Sequence, residues 1–500
     1  MASRMSTGAL WMVLFKLVER GLGLISTLIL ARLLIPRDFG IVAMATSLIA
    51  LIELFSSFGL DTALIQRSNP TRAHYNAAWT MNVLAGCAVG LLMSAIAVPA
   101  SYFYRESHLV WVVILMGACS AMQSFENVGV VDFRRELQFD KEFRYLATKK
   151  VVAFSITVPL AFWLRNYWAL VIGMVATRVV ILGFSYYVHP FRPRLSLAGA
   201  PELMHFSKWL MVQNMLSFGR ERSADFIIGR AVSSAALGTF SVAAQVASMP
   251  STELVAPINR AILPAYVKLA NDKPALARQY ISVMGVIALL AVPAVAGIAA
   301  TAPLVVMLVL GPGWREAIGV LEILAFYGIT QVLQTNAYSA FLALGTPQVF
   351  AKINTVHVAV LLATLLWLTP RYGIHGAAWA YLIAAMVALP VNFGFITHYL
   401  GLRPISFLAC VWRALTASII MYVLVRWLAP VSADSITGSL QAIGPVAYSV
   451  ALGAFTYVSS VALLWLISGR PEGAETWLVG EARGYLVTLR RKFGNVSPAP

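Results

Sequence analysis

The residues with chemical potential in this sequence are charges in the wrong place. Long apolar runs carry Lys16, Glu19 and Arg20 in the first run, Glu53 in the second, Glu126 in the fourth and Arg178 in the sixth. The seventh run holds Arg220, Glu221, Arg222 and Asp225, the eighth holds Glu253 and Arg260, and the tenth holds Glu322. A charge at a bilayer centre costs roughly 2.5–3.5 kcal/mol on insertion scales, so it is retained where it faces a wet cavity or a partner. Lys16 and Arg20 share a helix face at a spacing of four, and Arg222 and Asp225 do so at a spacing of three. Guanidinium and ammonium groups aimed into a cavity suit phosphate oxygens. Lys16, Arg20, Arg220, Arg222 and Arg260 are therefore the candidate anion-binding set. Glu19, Glu53, Glu221, Asp225 and Glu253 are the candidates for charge balance or for carrying a coupling proton or sodium ion. Other charges have plainer readings: Arg178 with Glu126 as an interhelix ion pair, Glu322 as a bridge to a neighbour, and Arg32, Lys208 and Arg413 as side chains reaching the headgroups.

The elements that position these groups are membrane helices. Of 500 residues, 59% are hydrophobic and 12% charged, with a mean hydropathy of +0.77; soluble domains average about 25% charged. Spans of about 20 apolar residues are expected at 9–33, 39–60, 77–104, 109–131, 149–165, 166–188, 206–231, 237–262, 281–303, 317–344, 351–369, 374–400, 407–428 and 441–468, about fourteen transmembrane helices in an all-α integral membrane protein. Residues 151–188 are read as a tight hairpin broken at Arg165 and Asn166, because one helix of that length would overshoot the bilayer. With both termini inside, the inner loops hold roughly three times the lysine and arginine of the outer loops, which fits the positive-inside rule. The net charge of +16 is thus an orientation signal and gives no reason to expect nucleic acid as a partner. The longest loops lie near 132–148 and 189–204. Beyond Gly469 a polar cytoplasmic tail carries Trp477, Leu478, Tyr485, Leu486 and Leu489 beside Arg490, Arg491 and Lys492, the makings of an interfacial helix.

An ungapped shift places Trp11 on Trp209, Gly21 on Gly219, Ile29 on Ile227, Arg32 on Arg230, Gly40 on Gly238 and Ala45 on Ala243. Each end of this pattern has a polar helix, an outer arginine, a short turn, and a glycine opening the next helix. Six helices separate the equivalent points, so the repeat is parallel. The expected lobes are 1–204 (helices one to six) and 205–404 (helices seven to twelve), followed by helices thirteen and fourteen in 405–468 and the tail 469–500. Under the repeat the charged clusters of helices one and seven face one shared cavity.

Enzyme chemistry has little footing. No GxxxxGK[ST] is present to cradle a nucleotide, no HExxH, and no nucleophile elbow. Cys87, Cys119 and Cys410 lie in apolar runs and read as small buried hydrophobes. No cofactor and no metal site are expected.

Several stretches resemble one family: "LARLLIPRDFGIVAMA" at 30–45, "FGLDTALIQR" at 58–67, "FRRELQF" at 133–139, "ALGTFSVAAQVASMP" at 236–250, "GPGWREAIGVLEILAF" at 311–326 and "YGIHGAAWAYLIAAM" at 372–386. They are similar to oligosaccharide flippases of the polysaccharide transporter family, the Wzx-like branch of the multidrug/oligosaccharidyl-lipid/polysaccharide exporter superfamily. The resemblance implies a two-lobed bundle with alternating access. It implies a flippase moving an undecaprenyl-diphosphate-linked repeat unit from the cytoplasmic to the periplasmic leaflet of a bacterial inner membrane, for exopolysaccharide, capsule or O-antigen. Expected partners are the lipid-linked oligosaccharide, a polysaccharide polymerase and a chain-length regulator. The alternatives are a multidrug cation antiporter and a peptidoglycan-precursor flippase of the same superfamily. No short motif of the family fixes binding residues, so the site rests on the charges alone.

Overall fold

The computed structural model describes residues 18–23, 25–56, 60, 64–65, 70–136, 138–198, 200, 208–429, 439–471 and 473–476. Lys16, Trp11 and most of the expected interfacial tail lie outside them. Helices α1 (18–23 and 25–33), α2 (Pro36–Ser56), α3 (Arg72–Tyr104) and α4 (Leu109–Ser124) come first. A 3-10 turn (Val128–Val130) then leads into α5 (Val131–Arg135), α6 (Phe139–Leu164), α7 (Trp168–Val188) and α8 (Lys208–Ala231). After α9 (Ser234–Pro250) a π-helical turn (Ser251–Val255) precedes α10 (Ala256–Leu269). The remainder is α11 (Lys273–Ala300), α12 (Ala317–Ala343), α13 (Pro347–Leu400), α14 (Pro404–Leu428) and α15 (Ser439–Ile467). Among the described residues eight helices are long and apolar enough to cross a membrane, or nine counting the pair Leu109–Ser124 and Val128–Arg135, bent by 66°.

Local chemistry explains the breaks. Arg165 turns the chain in the left-handed region (φ 48°) between α6 and α7, where the sequence calls for a hairpin. Gly373 (φ 59°, ψ −139°) breaks α13 between the expected spans 351–369 and 374–400, a conformation that a glycine adopts without Cβ strain. Helix α6 starts at Phe139, ten residues before the apolar span. Hydropathy marks where lipid begins, and the charged turns carrying Lys141 and Arg144 continue the same helix beyond it.

The chain divides into two compact units. The first comprises Met1–Val242, Val309–Trp314 and Leu365–Ala377, and the second Ala243–Leu308, Arg315–Thr364 and Ala378–Pro500. In the first, α3 packs along α4, α6 along α7, and α2 against α8. Helix α8 is therefore a neighbour of α2 within this unit. In the second, α11 packs between α12 and α14, and α14 against α15. Its core sets Ala277, Ala288, Ala291 and Ala299 of α11 with Ala325, Ala337 and Ala340 of α12 around buried Tyr266 and Tyr280. Small residues let helix backbones approach closely where lipid supplies no hydrophobic drive. Cys119 is buried and Cys87 and Cys410 half-buried, all three as free thiols.

Arg413 does not reach the headgroups. It lies buried on α14, and its Nε and Nη2 donate to Glu475 Oε1 at 2.6 Å and Oε2 at 3.0 Å. The distant carboxylate supplies a paired acceptor, and a buried guanidinium satisfied in that way has no need of the interface.

Candidate functional site

The intramembrane charges of the first unit sort into partnered groups. Glu19 of α1 meets Lys150 of α6 at 3.2 Å. Glu53 of α2 accepts a hydrogen bond from Ser120 Oγ of α4 at 2.8 Å. Glu126 is held three ways: Lys149 at 2.6 Å, the Tyr145 hydroxyl at 3.0 Å and Arg178 at 3.7 Å. The interhelix pair anticipated between Arg178 and Glu126 is present, and Lys149 is its stronger member. Lys149 and Lys150 open the apolar span expected at 149–165. Their adjacency on a helix continuous with the apolar span is the signal that could have placed them against acids.

On α8, Arg222 Nη1 lies 3.3 Å from Asp225 Oδ2, and Arg220 Nη2 lies 3.4 Å from Glu221 Oε1. The Arg222 side chain is 40% exposed while that of Asp225 is 10% exposed. A buried acid thus tethers an accessible guanidinium, which orients it without sealing it away. Arg20 of α1 is half-buried. In the second unit Glu253 sits in the π-helical turn and accepts from the Thr252 hydroxyl at 3.2 Å, and Arg260 is exposed on α10. The sequence reading missed the π turn, which Pro250 and Pro257 bracket. Such turns widen a helix locally and recur at functional positions. The second-unit bridge foreseen for Glu322 forms with Arg426 at 2.9 Å. Among the described residues no group of three His, Cys, Asp or Glu side chains is placed to hold a metal ion.

In the first unit the starts of two helices meet closely. A Cβ at Gly40 would overlap the Ser234 carbonyl oxygen, and one at Gly238 would overlap the Pro36 carbonyl oxygen. The starts of α2 and α9 therefore cross in backbone contact. Around them Arg37 Nη2 donates to Glu106 Oε1 at 2.8 Å, and the Ser234 hydroxyl donates to Glu106 Oε2 at 3.0 Å. Partial burial pushes the Glu106 carboxyl up, but the hydrogen bonds from Arg37 and Ser234 and the Arg37 and His108 charges more than reverse this. Glu106 thus titrates below its ordinary range. Trp314 closes the flank, its indole N–H donating to the Ala31 carbonyl at 2.8 Å and its ring standing edge-on to Phe39 at 5.3 Å.

This arrangement has relatives. Over 435 residues the chain is 23% identical to the lipopolysaccharide biosynthesis protein WzxC of Escherichia coli K12, covering 84% of each. It is 23% identical over 317 residues to the succinoglycan biosynthesis transport protein ExoT of Rhizobium meliloti, covering 63% of this chain and 64% of that one. Its fold matches the lipid II flippase MurJ, solved in an inward closed conformation, with a TM-score of 0.73 at 11% identity over 92% of this chain and 100% of that one. Residues 29–319, more than half of the length, match the model of the polysaccharide biosynthesis protein family, to which this chain belongs.

Proposed function

We propose that this protein is a flippase for a lipid-linked oligosaccharide, carrying its undecaprenyl-diphosphate-linked headgroup from the cytoplasmic to the periplasmic leaflet of a bacterial inner membrane. It is a transporter and not an enzyme. The observation that carries the reading is the accessible Arg222 tethered by buried Asp225 in a family member whose relatives serve polysaccharide biosynthesis and transport.

A sugar and diphosphate cannot cross hydrocarbon unaided, because each polar group buried without a partner costs several kcal/mol. Arg20, Arg220 and Arg222 of the first unit are the groups to replace water around the phosphate oxygens. Their acid neighbours release them as the anion arrives: Glu221 from Arg220 and Asp225 from Arg222. Glu19, Glu53 and Glu253 are the remaining places for a coupling proton or sodium ion. The sequence lobes 1–204 and 205–404 exchange access, with helices thirteen and fourteen as additions. The repeat is supported by the matched helix starts at Pro36 and Ser234 and the reciprocal glycine contacts across them. An anion leaving a negative-inside cell moves downhill by roughly 2.3 kcal/mol per charge per 100 mV. A polymerase and a chain-length regulator would then consume the flipped units.

Proteoliposomes with an imposed potential test this. Outward flipping of a lipid-diphosphate sugar should accelerate with an inside-negative potential or an inward cation gradient. Flipping indifferent to both, or absent, overturns the reading.

A further inference from the structure

A pocket of about 450 Å³ lies away from the transport charges, lined by Arg72, Tyr75, His189, Pro190, Phe191 and Arg192. It opens where α3 begins and α7 ends, on the side that the charge count makes cytoplasmic. We propose that it binds the phosphate headgroup of an anionic inner-leaflet lipid, whatever the cargo of the transport cavity.

The pocket is built, not incidental. Asn127, fully buried, donates through Nδ2 to the carbonyls of His189 (3.1 Å) and Phe191 (2.8 Å), which fixes the non-helical segment after α7. The same segment is stitched along α3: the Arg194 N–H donates to Asn76 Oδ1 and the Ser196 N–H to Thr80 Oγ1, each at 3.0 Å. The floor is the Tyr75 hydroxyl, which donates to Asp132 Oδ1 and accepts from Arg135 Nη1 at 3.2 Å. Arg72 stands over the Phe191 ring at 5.8 Å, and Arg192 Nη1 is pinned by the His189 and Phe191 carbonyls at 2.8 and 2.9 Å. Two guanidinium groups are thereby held at the rim. Asp132 faces both Arg135 Nη1 and His189 Nε2 at 3.7 Å, which leaves Arg72 and Arg192 as the exposed cations of the lining.

The flanking chain points to a lipid as the phosphate's source. Tyr187 is 86% exposed and Leu195 74% exposed, with Leu197 also exposed. Large apolar side chains interleaved with Arg192 and Arg194 describe a segment lying at headgroup depth, with its apolar groups toward the acyl boundary and its arginines among the phosphates. A free soluble phosphate would gain nothing from those exposed leucines, whereas a lipid uses both.

The test uses the full-length protein in nanodiscs of phosphatidylcholine with graded phosphatidylglycerol, read by native mass spectrometry of retained lipid and by thermal unfolding. Each basic residue near a membrane surface is worth on the order of a factor of five in binding anionic lipid. R72Q/R192Q should therefore weaken phosphatidylglycerol retention by tenfold or more and abolish its stabilisation of the fold. R72K/R192K should recover part of it, and K352Q/R403Q, which removes two other positive charges outside the pocket, should cost clearly less than R72Q/R192Q. If R72Q/R192Q unfolds, F191A must show the same selective loss while keeping its melting temperature in phosphatidylcholine. Undiminished phosphatidylglycerol retention in R72Q/R192Q, or equal weakening in the K352Q/R403Q control, overturns the proposal. So does equal stabilisation of the wild type by inorganic phosphate alone, which would make the ligand a free anion.

Discussion

Gly40 and Gly238 occupy the same position in two helices that begin at Pro36 and Ser234, and each lies against the backbone that opens the other's helix. The contact is reciprocal. Neither glycine tolerates a methyl, since the overlap is with a carbonyl oxygen that cannot rotate away. Overpacking of this kind costs about 1–3 kcal/mol. G40A and G238A should each lower polymer export at least tenfold while the protein still inserts. Export in a deletion strain, normalised to membrane abundance by blotting, measures it, and full export by both variants would remove the glycine contact from the transport cycle.

The Arg37–Glu106–Ser234 group predicts a pH response with a definite sign. The folded Glu106 carboxyl titrates below its unfolded value, which is about 4.3. Its contribution is therefore complete above the unfolded value and is lost as pH falls through the depressed folded one. Arg37 is half exposed, so screening holds the pair to on the order of 1 kcal/mol. Thermal unfolding of E106Q should fall below wild type by a constant margin between pH 6 and 8, and the two curves should converge under acid. A margin that grows with acid would reverse the assignment.

The helices were legible because lipid imposes a length and composition on whatever crosses it, and even the breaks at Arg165 and Gly373 show as polar or glycine interruptions. The matching positions of Gly40 and Gly238 show in the sequence, but their contact does not, since a spacing does not say which backbone lies opposite. Partners were the weak point. Glu19 could be read as a cavity group, but Lys150, its partner, lies far along the chain at the edge of another span, and no local pattern pairs the two. Arg413 failed for the same reason: Glu475 follows the last apolar span, and nothing in the local pattern brings it back to α14. The π turn at Ser251–Val255 was hidden because an added residue in a helical turn leaves composition unaltered.

The transport charges make a prediction that separates binding from folding. Arg222 and Arg20 are neither deeply buried nor part of a packed core, so R222A and R20A should insert at wild-type abundance. If the proposed phosphate clamp holds, each removes charge-assisted contacts worth about 1.5–3 kcal/mol apiece, and flipping should fall by tenfold to a hundredfold. R222K, which retains charge without the planar fork, should fall between. Normal polymer export by both alanine variants would exclude a phosphate clamp on α1 and α8.

The buried pair on α14 separates a structural charge from a functional one. Arg413 and Glu475 are both under a tenth exposed and joined by two hydrogen bonds. Removing one partner strands the other, at a cost of about 3–5 kcal/mol, whereas replacing both with apolar residues of similar volume is often neutral or stabilising. E475A should therefore lower the melting temperature in detergent by several degrees and reduce abundance, and R413M/E475L should restore most of both. Flipping per folded molecule should be unchanged in the double variant, because the pair holds the segment after α15 to α14 and belongs to no transport group. If the double variant folds yet fails to flip, this ion pair takes part in the cycle, and the charges that move the substrate extend beyond the clusters on α1 and α8.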